Sequence, residues 1–231
     1  MNLIIEGFKR ALELILSLDP DIIGIVLVSV KVSLVATSLA TLIGVPFGFV
    51  IGVNEFRGKK VVTILLNTLM AIPTVVVGLT VYAFISRQGP FGSLGLLFSP
   101  SAIIIGDIIL GTPIITAFTF SAVQGLDKRI SITAATLGAN KLQIAKIIIS
   151  EARFGVFAAI IAGFGRVIAE VGSAIMLGGN IKGYSRTITT AIALETSKGE
   201  FGFGIALGII LLTVAFSINI LFHYFQSKGR K

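Results

Sequence analysis

Residues 22–53 read IIGIVLVSVKVSLVATSLATLIGVPFGFVIGV, an apolar run broken by a single charge, Lys31. A spanning helix needs roughly 20 apolar residues to cross about 30 Å of hydrocarbon. This run exceeds that length, so it predicts a span that tilts or protrudes. Outward from it, four further runs qualify: 61–85 with Pro73 inside, 101–124 with Asp107 and Pro113, 156–177 with Arg166 and Glu170, and 203–225. Upstream, residues 1–20 mix Glu6, Lys9, Arg10 and Glu13 into apolar sequence. That pattern fits no secretory signal and predicts an amphipathic helix lying on the membrane or packed on the bundle. The expected fold is all-α and integral to the membrane: one domain over 1–231, a five-span helical bundle preceded by an amphipathic helix.

Composition agrees. Apolar residues make up 55% of the 231 residues and charged residues 13%, with a mean hydropathy of +1.00; a soluble domain carries about 25% charged residues. Too little charge is left to cover a water-facing surface, so lipid is the expected solvent. Cysteine is absent, which removes disulfides and thiolate chemistry, and the single histidine, His223, is poor material for a metal site or a catalytic triad. No cofactor or metal site is expected.

The net charge of +8 reads as topology rather than nucleic-acid binding, because the basic residues are dispersed among apolar spans. One set of alternate loops and the tail hold Arg57, Lys59, Lys60, Lys128, Arg129, Lys141, Lys146, Arg153, Lys228, Arg230 and Lys231; the other holds Lys9, Arg10, Arg87, Lys182, Arg186 and Lys198. The excess marks the cytoplasmic side. The N-terminus is then outside, the C-terminus inside, and the stretch 125–153 cytoplasmic.

Charges inside a span are costly and are functional candidates by default. Lys31 lies close enough to the outer surface for its stem to reach the headgroups. Asp107 is expected either to cap or bridge helices or to line the outer vestibule; an acid would repel a dianion, which favours the structural role. Arg166 and Glu170, four apart on one helical face, can pair; the pair either locks the bundle or dimer seam, or places Arg166 on a path for an anion with Glu170 as compensating charge. The loop GGNIKGYSRTITT (178–190) combines Gly178, Gly179 and Gly183 with Lys182 and Arg186, and with hydroxyls on Ser185, Thr187, Thr189 and Thr190. Irregular backbone and hydroxyl donors suit an oxyanion that is passed on rather than held. The spacings in GVPFGFVIG (44–52) and AAIIAGFG (158–165) favour close helix packing.

The cytoplasmic stretch LDKRISITAATLGANKLQIAKIIISEARFG (126–155) clusters Ala134, Ala135, Gly138 and Ala139 before Leu142, Ile144, Ile147 and Ile148. The apolar residues recur at helical spacing, and Gly138 predicts a turn within them. This stretch resembles the coupling-helix motif of ATP-driven importer permeases, keeping Ala134, Gly138 and Ile148; the motif's Glu falls on Ile132, its first Ala on Thr133 and its Leu-Pro on Ser150 and Glu151. The run that follows, 151–201, is similar to the permeases of tungstate importers (the Tup type), through GFGR (163–166), EVG (170–172), GGNI (178–181) and TTAIALET (189–196). NTLMAIPTVVVGL (67–79) resembles the second-span region of the wider molybdate, sulfate and tungstate permease superfamily.

That resemblance implies a type I importer permease working as a homodimer by alternating access, with two cytoplasmic ATP-binding subunits and an extracytoplasmic oxyanion-binding protein. A coupling site would comprise Thr133, Ala134, Ala135, Gly138, Ala139, Asn140 and Lys141 within 130–150. A path or gate would comprise Arg166, Glu170, Gly178, Gly179, Asn180, Thr189 and Thr190. Tungstate is the implied cargo, with molybdate, sulfate or phosphate as alternatives. No phosphate-cradling loop is present: GVNEFRGKK (52–60) has five residues between its glycines and Lys60 where Ser or Thr belongs. ATP and its magnesium are therefore expected on a partner subunit. The competing classes are an ion-gradient anion transporter without an ATPase and a structural subunit of a membrane enzyme.

Overall fold

The computed structural model describes residues 2–17 and 19–228. Arg230 and Lys231, two residues in the cytoplasmic tally, lie outside the described residues, as do the side chains of His223 and Lys228. Among the described residues there is helix and no strand: α1 Asn2–Leu16, α2 Pro20–Val53, α3 Lys59–Met70, α4 Thr74–Ile85, α5 Pro100–Gln124, α6 Arg129–Thr136, α7 Lys141–Ile168, α8 Gly172–Gly178, α9 Ile188–Ser197 and α10 Phe201–Lys228.

The long helices start where the chain supplies a cap. Asp19 accepts from the N–H groups of Asp21 and Ile22 with Pro20 at the first helical position, and Ser99 accepts from Ala102 N–H ahead of Pro100. Proline there costs no hydrogen bond because that N–H is unsatisfied anyway. At 1.5 Å per residue, the 25-residue α5 is about 37 Å long, enough to span hydrocarbon. Outward faces stay apolar, with Leu27, Leu42, Phe47, Leu212, Phe216 and Ile220 all exposed. Lipid is the medium in which such a surface is stable.

The centre is the α2–α5 seam, and its geometry follows from residue size. A Cβ on Gly48 would lie 2.5 Å from the Thr116 carbonyl oxygen, and one on Gly52 would lie 2.7 Å from Val123 Cγ1. Small residues repeating every four positions let the two backbones approach closely. α7 packs antiparallel on the other side of α5, with Gly163 against Ile115 and Gly111 against Val167. α1 lies along α10, its Gly7 seated on Ile205, while Ile4, Phe8 and Leu12 remain exposed.

Three predicted boundaries move. The run 61–85, expected as one span with Pro73 inside, consists of two helices, α3 and α4, bent by 93° across Ala71–Pro73, because proline lacks the N–H that would continue the ladder. The run 156–177 also reads as one span. Its helix begins earlier, at Lys141, where Asn140 and Gln143 form a reciprocal capping box, and ends at Ile168 with a separate short helix from Gly172. An apolar window misses the first half of α7 because Lys146, Glu151 and Arg153 project outward there. The stretch 178–202, read as an external loop, contains α9, whose first four residues are buried.

Candidate functional site

The break after α7 gathers the intramembrane charges. Arg166 occupies the last turn of α7, where the helix dipole favours a cation. Glu170 sits in the unwound residues. Its Oε2 accepts from Arg166 Nη1 at 2.9 Å, and its Oε1 accepts from Ser173 N–H at 2.9 Å, capping α8. The glutamate side chain is 2% exposed and the arginine 31%. The pair expected on one helical face thus bridges a helix end, and only the cation reaches open space.

The two interrupted spans meet at their breaks. A Cβ on Gly172 would lie 2.8 Å from Thr74 Oγ1 and 3.1 Å from Val75 Cγ2; one on Gly78 would lie 3.0 Å from Ser173 Cα. Backbone without helical bonds survives at membrane depth only where protein buries it or a water-filled cavity borders it. The α3–α4 bend and the residues 169–171 supply two such places side by side, next to Arg166.

A hydrogen-bonded cluster of threonines fastens the break from the α9 side. Thr189 Oγ1 donates to the Glu170 carbonyl at 2.6 Å, and the Thr187 and Thr189 hydroxyls lie 2.9 Å apart. Thr187 and Thr190 form a capping box at the start of α9. Thr190 Oγ1 donates to Asn180 Oδ1 at 3.0 Å, and Asn180 Nδ2 donates to the Thr190 carbonyl at 3.2 Å. Arg186 Nε closes on Asn180 Oδ1 at 3.1 Å. Ser29 Oγ of α2 accepts from Ile188 N–H at 2.7 Å. Ser185 donates to the Gly178 carbonyl.

Of the predicted gate residues, Thr189, Thr190 and Gly178 are buried, Asn180 is half-buried with a left-handed φ of 50°, and Gly179 is exposed with φ of 69°. The hydroxyls of Thr189 and Thr190, read as donors to an oxyanion, are spent on the protein's own groups in this conformation. Arg186 is likewise tied to Asn180. Arg166, which spends only Nη1, keeps more of its donors open than Arg186, which spends Nε and Nη2.

Ser29 and Thr74 escaped the sequence reading, and Thr187, named there among the loop hydroxyls, was not read as a cap. Thr187-x-x-Thr190 carries a capping-box signal in weakened form, with threonine where glutamate or glutamine is usual. Nothing in sequence ties Ser29 to Ile188, 159 positions away.

At the other end, α6 and α7 form an elbow. Gly138 has φ of +84° with open space where a Cβ would stand, so glycine is required by conformation rather than by room. Ala134 is buried under the turn; Thr133, Ala135, Asn140 and Lys141 are exposed and Ala139 half-buried. Leu137 at the tip is 82% exposed, flanked by Ile132 at 61% and Leu142 at 68%. Three apolar side chains standing out from a charged segment form a surface made to be covered.

With two interrupted spans around a half-open arginine and an apolar elbow beyond them, the comparisons with known proteins fall into place. The family described as "Binding-protein-dependent transport system inner membrane component" matches residues 44–231. The chain belongs to that family. The tungstate uptake system permease protein TupB of Peptoclostridium acidaminophilum is 40% identical over 228 residues, 99% of this chain and 100% of that relative. The molybdenum transport system permease protein ModB of Escherichia coli K12 is 27% identical over 206 residues, 82% of this chain and 90% of that one. Among solved structures, the MetNI methionine ABC transporter in inward-facing conformations gives a TM-score of 0.76 at 16% identity, covering 92% of this chain and 98% of that chain. At that identity the likeness speaks for the fold, which is that of a type I importer permease. The chain is a multi-pass protein of the inner membrane.

Proposed function

We propose that this chain is the membrane-spanning subunit of an ATP-driven tungstate importer. It works as a homodimer on two cytoplasmic ATP-binding subunits and receives its cargo from an extracytoplasmic oxyanion-binding protein. The observation that carries the substrate class is the full-length likeness to a tungstate permease at 40% identity, against 27% for a molybdenum permease. ATP and magnesium belong to the partner subunits; this chain holds no cofactor and performs no hydrolysis.

The elbow from Thr133 to Lys141 is the grip for the ATP-binding subunit, with Leu137 as its tip. Rigid-body closure of the ATPases then rocks the bundles between inward- and outward-facing states. Support for a second copy comes from α3, none of whose residues is buried within one chain. The N-terminus lies outside and the C-terminus in the cytoplasm, following the basic-residue bias. α1 rests at the outer lipid boundary, its exposed Ile4, Phe8 and Leu12 in the acyl region.

In the path, Arg166 offers its open N–H donors to the passing dianion and Glu170 compensates the charge when the path is empty. Gly178, Gly179, Asn180, Thr189 and Thr190 form the outer gate, which opens when their mutual bonds are exchanged. The test is uptake by vesicles reconstituted with the permease and its ATPase, with tungstate, molybdate and sulfate in competition and with or without ATP. Arg166→Gln is expected to cut tungstate uptake about tenfold or more while the complex still assembles. Normal uptake by that variant removes Arg166 from the path, and uptake without ATP removes the importer.

A further inference from the structure

Asp107 belongs to neither the elbow nor the arginine–glutamate pair. Its residue is 2% exposed, inside α5, and its Oδ1 has no hydrogen-bond partner. Ser173 Oγ, also fully buried, has none either, and a Cβ on Gly106 would lie 3.6 Å from it. Two orphaned polar atoms therefore lie on helices that pack together, one within α5 and one at the start of α8. Buried polar groups are ordinarily paired, so the arrangement is a place where a partner is due.

The register says which partner. α5 and α7 run antiparallel, with Ile115 against Gly163 and Gly111 against Val167. Continued one turn along α5, that spacing carries Asp107 to the end of α7 at Ile168, beside the break that holds Glu170. Arg166 contacts Glu170 through Nη1 alone, and a guanidinium carries five N–H donors in a fixed fork. A side chain that uses one donor and is part-exposed has capacity for a second carboxylate.

We propose that Asp107 is a positioning residue for Arg166, the second carboxylate seat that the guanidinium takes when the break at 169–171 rearranges during the transport cycle. With Glu170 as sole partner, Arg166 keeps donors open to the path and can hold an oxyanion. Once Asp107 is engaged as well, the remaining guanidinium donors are taken up by protein, the trio carries a net charge of −1, and the anion is dismissed inward. The inference rests on the reading that Arg166 faces the path.

The test uses the full transporter in vesicles, with tungstate as cargo. Asp107→Asn keeps the size and polarity but not the charge; it is expected to lower uptake about tenfold, the scale of a lost coupling contact, while ATP hydrolysis and recovery of the complex stay at parental levels. In a second arm, cysteines at 107 and 166 are cross-linked in nucleotide-free and vanadate-trapped complexes, and the yield is expected to rise in one state. Parental uptake by Asp107→Asn, or a parallel loss of hydrolysis and assembly, overturns the proposal, as does cross-linking that ignores nucleotide. Arg166→Gln separates the two failures: if it transports normally the path reading itself is wrong, whereas a defect in Arg166→Gln beside a normal Asp107→Asn sinks only the second seat.

Discussion

The elbow at 129–146 and the polar centre at 166–190 dispose of the same kinds of residue in opposite ways. In the elbow, apolar side chains point outward and polar atoms bond at short range: Ser131 to the Lys128 carbonyl, Thr136 to the Thr133 carbonyl, Asn140 with Gln143. In the centre, polar side chains point inward and bond across 10, 19 and 159 positions. The elbow can form from its own sequence and leaves its apolar tip for another protein to cover. The centre exists only when α2, α7, α8 and α9 are assembled. One region is built for a partner, and the other holds open two breaks that would be intolerable in lipid.

The largest effect is expected where the centre loses its acid. Glu170→Ala strands Arg166 without its counter-charge and leaves Ser173 N–H uncapped. Removing one partner of a fully buried pair costs about 3–5 kcal/mol; Arg166 is 31% exposed and recovers part of its solvation, so about 2–3 kcal/mol remains with Ser173 N–H uncapped, still a large share of the stability of any folded protein. The expected outcome is a permease that melts far below the parent in detergent and is lost during purification. Glu170→Gln retains an oxygen for Ser173 N–H and should lie between the two. A Glu170→Ala protein as stable as the parent would mean that α8 is held by packing alone, and the contrast with the elbow would vanish.

An intermediate effect is expected at the elbow, and it should separate binding from folding. Leu137→Asp removes no contact within the chain, since the side chain is 82% exposed; the permease should melt unchanged. Recovery of the ATP-binding subunit with it should fall about tenfold, as expected for an apolar anchor at an interface centre. Gly138→Ala acts on the fold instead: φ of +84° penalises an L-residue by about 1–2 kcal/mol, although space for the methyl is open. If Leu137→Asp lowers the melting temperature as well, the tip is packed in the bundle and is not a free grip.

The same contrast explains what could be read from sequence. The spans, the turn at Gly138 and the Arg166–Glu170 pair are local patterns, set by apolar length, one glycine and a spacing of four. Close helix packing at Gly44, Gly48 and Gly52 was legible for the same reason, but not that α5 would be the partner. The capping box Asn140-x-x-Gln143, which the sequence reading passed over, places the beginning of α7 fifteen residues earlier than the apolar window 156–177 does. The meeting of Gly172 with Thr74, the bond from Ser29 to Ile188 and the orphaned Asp107 were not legible. Each depends on which helices become neighbours, and the long apolar helices have nearly uniform hydropathy around their circumference, so no face announces its partner.

The smallest effect is expected at Asp127, and it sharpens the claim that the elbow is bonded locally. Asp127 is exposed and contacts Arg129 at 2.6 Å. The Arg129 side chain, and secondarily its backbone N–H, hold the Asp127 carboxyl below the usual carboxylate range. An acid whose folded value is depressed adds stability above its unfolded value of about 4, and that stability is lost only as pH falls through the folded value. Melting of the elbow should therefore be flat from about pH 6 to about pH 8, with any decline confined to acid. Asp127→Asn should leave the flat region unchanged and reduce only the acid decline, because exposed pairs contribute little. A neutral-pH transition that disappears in Asp127→Asn would show a carboxyl coupled to something buried, and the elbow would then share the long-range bonding that sets the centre apart.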